Sequence, residues 1–194
     1  MKFNEVIKIF SEAKRKTIAV VPGSFKPPHA GHADMIDKYS KKADEVVVII
    51  SAPGKQKRLT KSGKEITPQD ALKIFEIFKK AYGWKNVKFE ISKDASPMTA
   101  AYDYVEHELK DVDVLLGASD KGGDYKRWSR APKYFSEHNP SVTIIDPQKA
   151  AVKAYGDVSA STIRNNIDNP DIIKELLPDK LSDKDIDNII NILK

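Results

Sequence analysis

Val46-Val47-Val48-Ile49-Ile50 is five consecutive branched apolar residues. A strand with one wet face alternates apolar and polar side chains. An unbroken apolar run needs cover on both faces, as in a parallel sheet sandwiched between helices. Thr17-Ile18-Ala19-Val20-Val21 has the same character earlier in the chain, and Ala30–Ser40 between them reads as a helix. Strand, helix, strand is the unit that builds a parallel sheet.

The alternation continues. Further strands are expected at Asn86–Ile91, Asp113–Leu116 and Val142–Ile145. Thr67-Pro68 opens a helix that carries Leu72, Phe75, Ile77 and Phe78 and ends near Gly83. Ser96-Pro97 opens another, running to about Leu109. Tyr125–His138 reads as helical in part, Ser159 or Ser161 caps a helix near Thr162, and Asp171–Lys194 is helical with a break at Pro178. An amphipathic helix is also expected over Lys2–Lys14, with Val6, Ile7, Ile9, Phe10 and Ala13 on one side. The expected fold is α/β: a doubly wound, Rossmann-like parallel sheet of about five strands with helices on both faces. Residues 1–168 form that domain, and 169–194 a C-terminal helical extension packed on it.

The 194 residues, 40% of them hydrophobic, suffice for a sizeable core. The absence of cysteine excludes disulfides, thiolate nucleophiles and Cys-ligated zinc. No apolar run is long enough to span a bilayer and the N-terminus has no signal-peptide pattern, so a cytoplasmic location with no membrane partner is expected. The net charge of +5 is that of a lysine-rich surface or of a protein that attracts polyanions.

The chemistry concentrates in Gly23-Ser24-Phe25-Lys26-Pro27-Pro28-His29-Ala30-Gly31-His32, directly after the first strand. Gly23 permits a tight turn that brings backbone N–H groups to a ligand, and the prolines stiffen it. The helix from Ala30 points its positive end at the same place. His29 and His32, three apart, can both donate to phosphate oxygens, and Lys26 adds a fixed charge. This is a phosphate clamp without a nucleophile–base pair. It is neither a P-loop nor G-x-G-x-x-G, and His-x-x-His lacks the glutamate and third ligand of a zinc site.

Gly23–His32 resembles the G-[ST]-F-x-P-x-H-x-G-H signature of the nucleotidylyltransferase superfamily. Val158-Ser159-Ala160-Ser161-Thr162-Ile163-Arg164 resembles its I-S-S-T-x-x-R motif, with Val158 and Ala160 as mild departures. The resemblance spans Thr17 to Ile167. It implies an enzyme that transfers a nucleotidyl group from a nucleoside triphosphate to a phosphate monoester and releases pyrophosphate, with Mg²⁺ bridging the phosphates. By position, Gly23, Ser24 and Phe25 would contact the nucleotide and α-phosphate, with Gly31 between the two histidines. His29 and His32 would stabilise the transferring phosphate, Ser161 and Thr162 would hold the β- and γ-phosphates, and Arg164 would balance the pyrophosphate. Lys26 departs from the Asp, Asn or Gln of many relatives; it would serve the acceptor or alter metal use.

The Gly117-to-Lys121 stretch resembles a G-x-D loop that touches base or acceptor in several relatives, so Gly117 and Asp120 are candidates there. Trp128 would stack on a base or pyridine ring, or else pack on the sheet. Lys126, Arg127 and Arg130 would steer phosphates, or form a solvated face. The Lys55–Lys64 loop would close over the triphosphate, touch nucleic acid, or stay mobile and solvated. Ser96–Thr99 would line the acceptor pocket or simply start a helix. Lys26, the Gly117–Asp120 loop and Trp128 together resemble pyridine-nucleotide enzymes, which favours ATP as donor and nicotinamide mononucleotide or a related phosphate as acceptor. Cytidylyl transfer from CTP to a sugar, polyol or amino-alcohol phosphate, and adenylyl transfer to phosphopantetheine, are the alternatives within the superfamily. Outside it stand a basic nucleic-acid-binding module, against which the lack of an RNA-binding or helix-turn-helix pattern counts, and a nucleotide sensor. The C-terminal helices would cap the sheet or form an oligomer contact.

Overall fold

Strands β1 (Thr17–Gly23), β2 (Glu45–Ile50), β3 (Val87–Ile91), β4 (Asp113–Leu116) and β5 (Thr143–Ile144) form one sheet in the order β3-β2-β1-β4-β5. Every neighbouring pair is parallel. The computed structural model describes residues 14–55 and 57–194. The helix expected over Lys2–Lys14 lies, apart from Lys14, outside them. β5 is shorter than the expected Val142–Ile145, because the Val142 amide donates to the Asn139 carbonyl in a turn.

The unbroken apolar runs serve two cores. Ala19, Val21, Val46, Val48, Ile50 and Leu115 belong to one, with α1 (Ala30–Ser40), α2 (Pro68–Tyr82) and the late helices α6 (Ala160–Asn165), α7 (Pro170–Leu176) and α8 (Asp183–Leu193). Ile18, Val20, Val47, Ile49, Val114 and Leu116 belong to the other, with α3 (Pro97–Glu108), a 3₁₀ stretch (Lys121–Trp128) and α4 (Ala131–His138). A short α5 (Pro147–Ala150) follows β5. Alternate side chains of one strand point to opposite faces, so each run feeds both layers. This is the expected doubly wound α/β architecture.

Local chemistry sets the helix limits. Thr67 and Asp70 form a reciprocal capping box at the start of α2, Pro68 takes the first helical position, and Gly83 ends the helix with φ 68°. Ser182 and Asp185 cap α8 in the same way. Ile186, Ile189, Ile190 and Leu193 then form the single apolar stripe by which α8 joins the first core.

The strand order places the ligand site. β1 sits between β2 and β4, so the chain winds outward from β1 to β3 and then returns to the other side of β1. The loops leaving β1 and β4 part at this switch point and open a crevice beyond the carboxyl ends of the strands.

Candidate active site

The loop after β1 is shaped by its aromatic ring. Gly23 leaves a space that Phe25 fills; a Cβ there would lie 2.6 Å from the Phe25 ring. Phe25 itself adopts φ 49°, a left-handed conformation costly for a side-chain residue. Its buried ring then meets His32 edge-on at 4.9 Å and Phe75 of α2 at 5.0 Å. The glycine therefore acts first by admitting a ring that braces a histidine.

His29 caps α1. Its Nδ1 accepts from the Gly31 N–H at 3.2 Å, which leaves Nε2 to carry the ring proton. The His32 ring stacks on it, centroids 3.7 Å apart. Burial lowers the His29 pKa to about 4. Burial, with His29 as neighbour, takes His32 well below the ordinary range as well. Both rings are neutral at pH 7 and act as hydrogen-bond donors and dipoles rather than as cations. His32 Nδ1 is a buried atom without a hydrogen-bond partner among the described residues.

Two cavities meet at this pair. One, of about 500 Å³, is lined by Ser24, Lys26, Arg58, Ser161 and Arg164. The other, of about 240 Å³, is lined by Gly31, Asp34, Ser119, Arg127 and Tyr155. Phe25, His29, His32 and Val158 border both. In the first, Ser159 caps α6 by accepting from the Thr162 N–H, and Arg164 donates from Nη1 to the Lys26 carbonyl at 2.5 Å. The two sequence motifs thus touch directly. Lys26, Arg58 and Arg164 form no salt bridge among the described residues. Burial, opposed by Glu65 and reinforced by Arg58, lowers the Lys26 pKa; burial and Arg58 lower that of Arg164. A polyanion in this cavity would relieve that strain.

Several expectations are corrected. Residues Lys57–Glu65 are largely exposed, as expected of a solvated loop, but they are not loose. Leu59 pairs antiparallel with Glu65, the Ile66 N–H donates to Arg58, and the Lys61 N–H donates to the Arg164 carbonyl at 2.9 Å. This hairpin delivers Arg58, which the sequence reading did not single out. A tight turn at Gly63 (φ 89°) was its one local signal. Trp128 is not a stacking platform. It is fully buried beside Tyr102, and its indole N–H donates to the Gly117 carbonyl at 3.1 Å. Gly117 borders neither cavity; a Cβ there would lie 2.9 Å from Val21 Cα, so it lets β4 run close to β1. Asp120 borders neither as well, and its carboxylate accepts from the Ala154 N–H.

Thr162 turns its hydroxyl to Ser159, 2.8 Å away, and lines neither cavity. Ser96 is the cap of α3 and does not reach the crevice. Of the basic stretch, Arg127 borders the smaller cavity and donates to the Gly117 carbonyl at 2.7 Å. Tyr39 was also missed. Its buried hydroxyl accepts from the Ala118 N–H and lies 3.1 Å from the carbonyls of Ala118 and Ala150, tying the β4 loop to α5 under the smaller cavity.

The described residues contain no cluster of three or more His, Asp or Glu side chains suited to a metal. The carboxylates at the smaller cavity are engaged: Asp34 with Lys38 at 2.6 Å and Asp124 with Arg127 at 3.3 Å. A divalent ion fits here only when phosphate oxygens and water hold it, as part of the substrate.

A neutral histidine pair at a helix N-terminus, beside a cationic cavity at the switch point of a parallel sheet, is suited to hold the phosphates of a nucleotide. The chain belongs to the cytidylyltransferase-like family, whose model matches residues 20–166. Among individual relatives, it is 42% identical over 153 residues to a phosphopantetheine adenylyltransferase of Vesicomyosocius okutanii subsp. Calyptogena okutanii (strain HA). That match covers 78% of this chain and 85% of the relative. Two solved structures of a bifunctional NMN adenylyltransferase/ADP ribose pyrophosphatase from Francisella tularensis share the fold. Their TM-scores are 0.61 and 0.56, at 16% and 14% identity, each over 92% of this chain. This chain spans about half the length of those two. No helix among the described residues is long and apolar enough to cross a membrane.

Proposed function

We propose that this chain transfers the adenylyl group of ATP to a phosphate monoester. The supporting observation is the meeting of two cavities at the stacked histidines, one of them lined by three cations that have no ion-pair partner among the described residues. The triphosphate takes the cationic cavity: Lys26, Arg58 and Arg164 face its β- and γ-phosphates and Ser161 lies at the start of α6. The α-phosphorus then sits at the histidine pair. An acceptor phosphate oxygen attacks it from the side of the smaller cavity. A new P–O bond forms, the bond to the β-phosphate oxygen breaks, and its electron pair leaves with pyrophosphate. No protein nucleophile takes part, so positioning and hydrogen bonds to the developing charge supply the acceleration. Mg²⁺ enters with the triphosphate as substrate and neutralises charge between its phosphates.

Phosphopantetheine is the acceptor we infer, on the strength of the 42% identical relative. A pyridine mononucleotide, the acceptor expected from the sequence, is the second reading, although Asp34 and Asp124 at the smaller cavity are already paired with Lys38 and Arg127. Trp128, buried in the core, no longer supports it. The test is pyrophosphate release from ATP or CTP crossed with phosphopantetheine, nicotinamide mononucleotide, nicotinate mononucleotide and glycerol 3-phosphate. Turnover with ATP and phosphopantetheine is expected. Turnover with CTP alone would overturn adenylyl transfer, and triphosphate binding without turnover on any acceptor would favour a sensing role. His32→Ala is expected to lower kcat by about a thousandfold with folding retained.

A further inference from the structure

Lys26 is an unusual lysine. It is only 8% exposed, yet no hydrogen bond or ion pair holds its ammonium among the described residues. The ammonium is not sealed in the core either, since His32 Nδ1 is the buried side-chain atom left without a partner. It therefore opens on the cationic cavity that Lys26 lines with Arg58 and Arg164. Its backbone is gripped by Arg164 through the Lys26 carbonyl and followed by Pro27 and Pro28, so the root of the side chain is fixed at the cavity wall. The nearby carboxylate, Glu65, is bound to Lys57 at 3.1 Å. Among the described residues, no Asp or Glu lines this cavity.

We propose that Lys26 supplies from within the protein the charge that a divalent cation supplies to a triphosphate in water, so that the site binds metal-free ATP nearly as well as its magnesium complex. This rests on the reading of the cavity as the triphosphate site. The charge balance decides it. A triphosphate carries about four negative charges, and Lys26, Arg58 and Arg164 offset three of them before any metal arrives. A divalent ion arriving with the triphosphate takes the balance from about −1 to about +1, no nearer neutrality, so it adds little to binding. Without Lys26 only two charges are offset, and the ion becomes necessary.

The experiment is calorimetric titration of the full chain with ATP, in EDTA and in excess Mg²⁺, for the native protein, Lys26→Gln and Lys26→Arg. The native affinity in EDTA is expected within about threefold of that with Mg²⁺, whereas Lys26→Gln should lose about tenfold or more in EDTA and much less with Mg²⁺. Lys26→Arg should restore metal-free binding, because it keeps the charge. A native protein that binds ATP only with Mg²⁺ overturns the proposal. So does a Lys26→Gln variant that is weakened equally in both conditions, since that is loss of a contact rather than of a metal substitute. A folded native protein that binds ATP in neither condition overturns the triphosphate reading itself, and the proposal with it. Thermal melting of each variant separates loss of binding from loss of fold.

Discussion

Single side chains here act through what surrounds them. His29 looks like a titrating group in the sequence, but burial takes its pKa from 6.5 to about 4 and fixes it neutral. The unfolded chain therefore binds a proton that the folded chain refuses between those values. The stability that His29 allows is fully present above about pH 6.5 and is lost as pH falls toward 4, by about 3 kcal/mol for a shift of this size. The melting temperature is expected to fall across that window, and less steeply in His29→Asn. ATP binding should persist at pH 8; a steep loss above pH 6.5 would mean that an imidazolium is required after all. Gly23 makes a second case. Gly23→Ala would push a methyl into the Phe25 ring, 2.6 Å away, and through it into His32. A cost of about 1–3 kcal/mol in chemical denaturation is expected, together with a fall in kcat larger than any rise in KM. The glycine was legible in the sequence; that an aromatic ring occupies its space was not, because a ring folding back over two residues leaves no trace in spacing.

Among the elements, the limits of α1, α2 and α3 and the β1, β2 and β4 runs were readable because caps, prolines and apolar runs are local signals. The hairpin at Lys57–Glu65 was not. Its polar, lysine-rich composition is that of a solvated loop, and its order comes from its own short ladder and from one backbone bond, Lys61 to Arg164, that ties it to α6 far along the chain. That dependence is testable. Lys61→Pro removes the N–H that donates to the Arg164 carbonyl, whereas Lys61→Ala keeps it. Lys61→Pro is expected to raise the KM for the triphosphate several-fold, about 1 kcal/mol in binding, by loosening Arg58, with Lys61→Ala close to native. Equal effects of the two would show that the lysine side chain matters and not the hairpin's attachment.

At the scale of the whole molecule, α8 packs on α2 and completes the first core, while Lys64 of the hairpin reaches the Ile192 carbonyl at its end. The C-terminal helices thus bear on both stability and the site. Leu193→Ala removes a fully buried side chain and is expected to cost about 2–5 kcal/mol, read as a lower denaturation midpoint with ATP affinity little changed below it. The sequence by itself determined the layered parallel sheet, because unbroken apolar strands and capped amphipathic helices are demands that short stretches of chain make locally. It also carried the two motifs by which the chain resembles its family, since those residue types stand at fixed spacing. Only the tertiary structure decided that Trp128 packs inside, that Arg58 joins Lys26 and Arg164, and that both histidines are neutral. Burial and the meeting of distant segments set those properties, and neither is encoded at any one position.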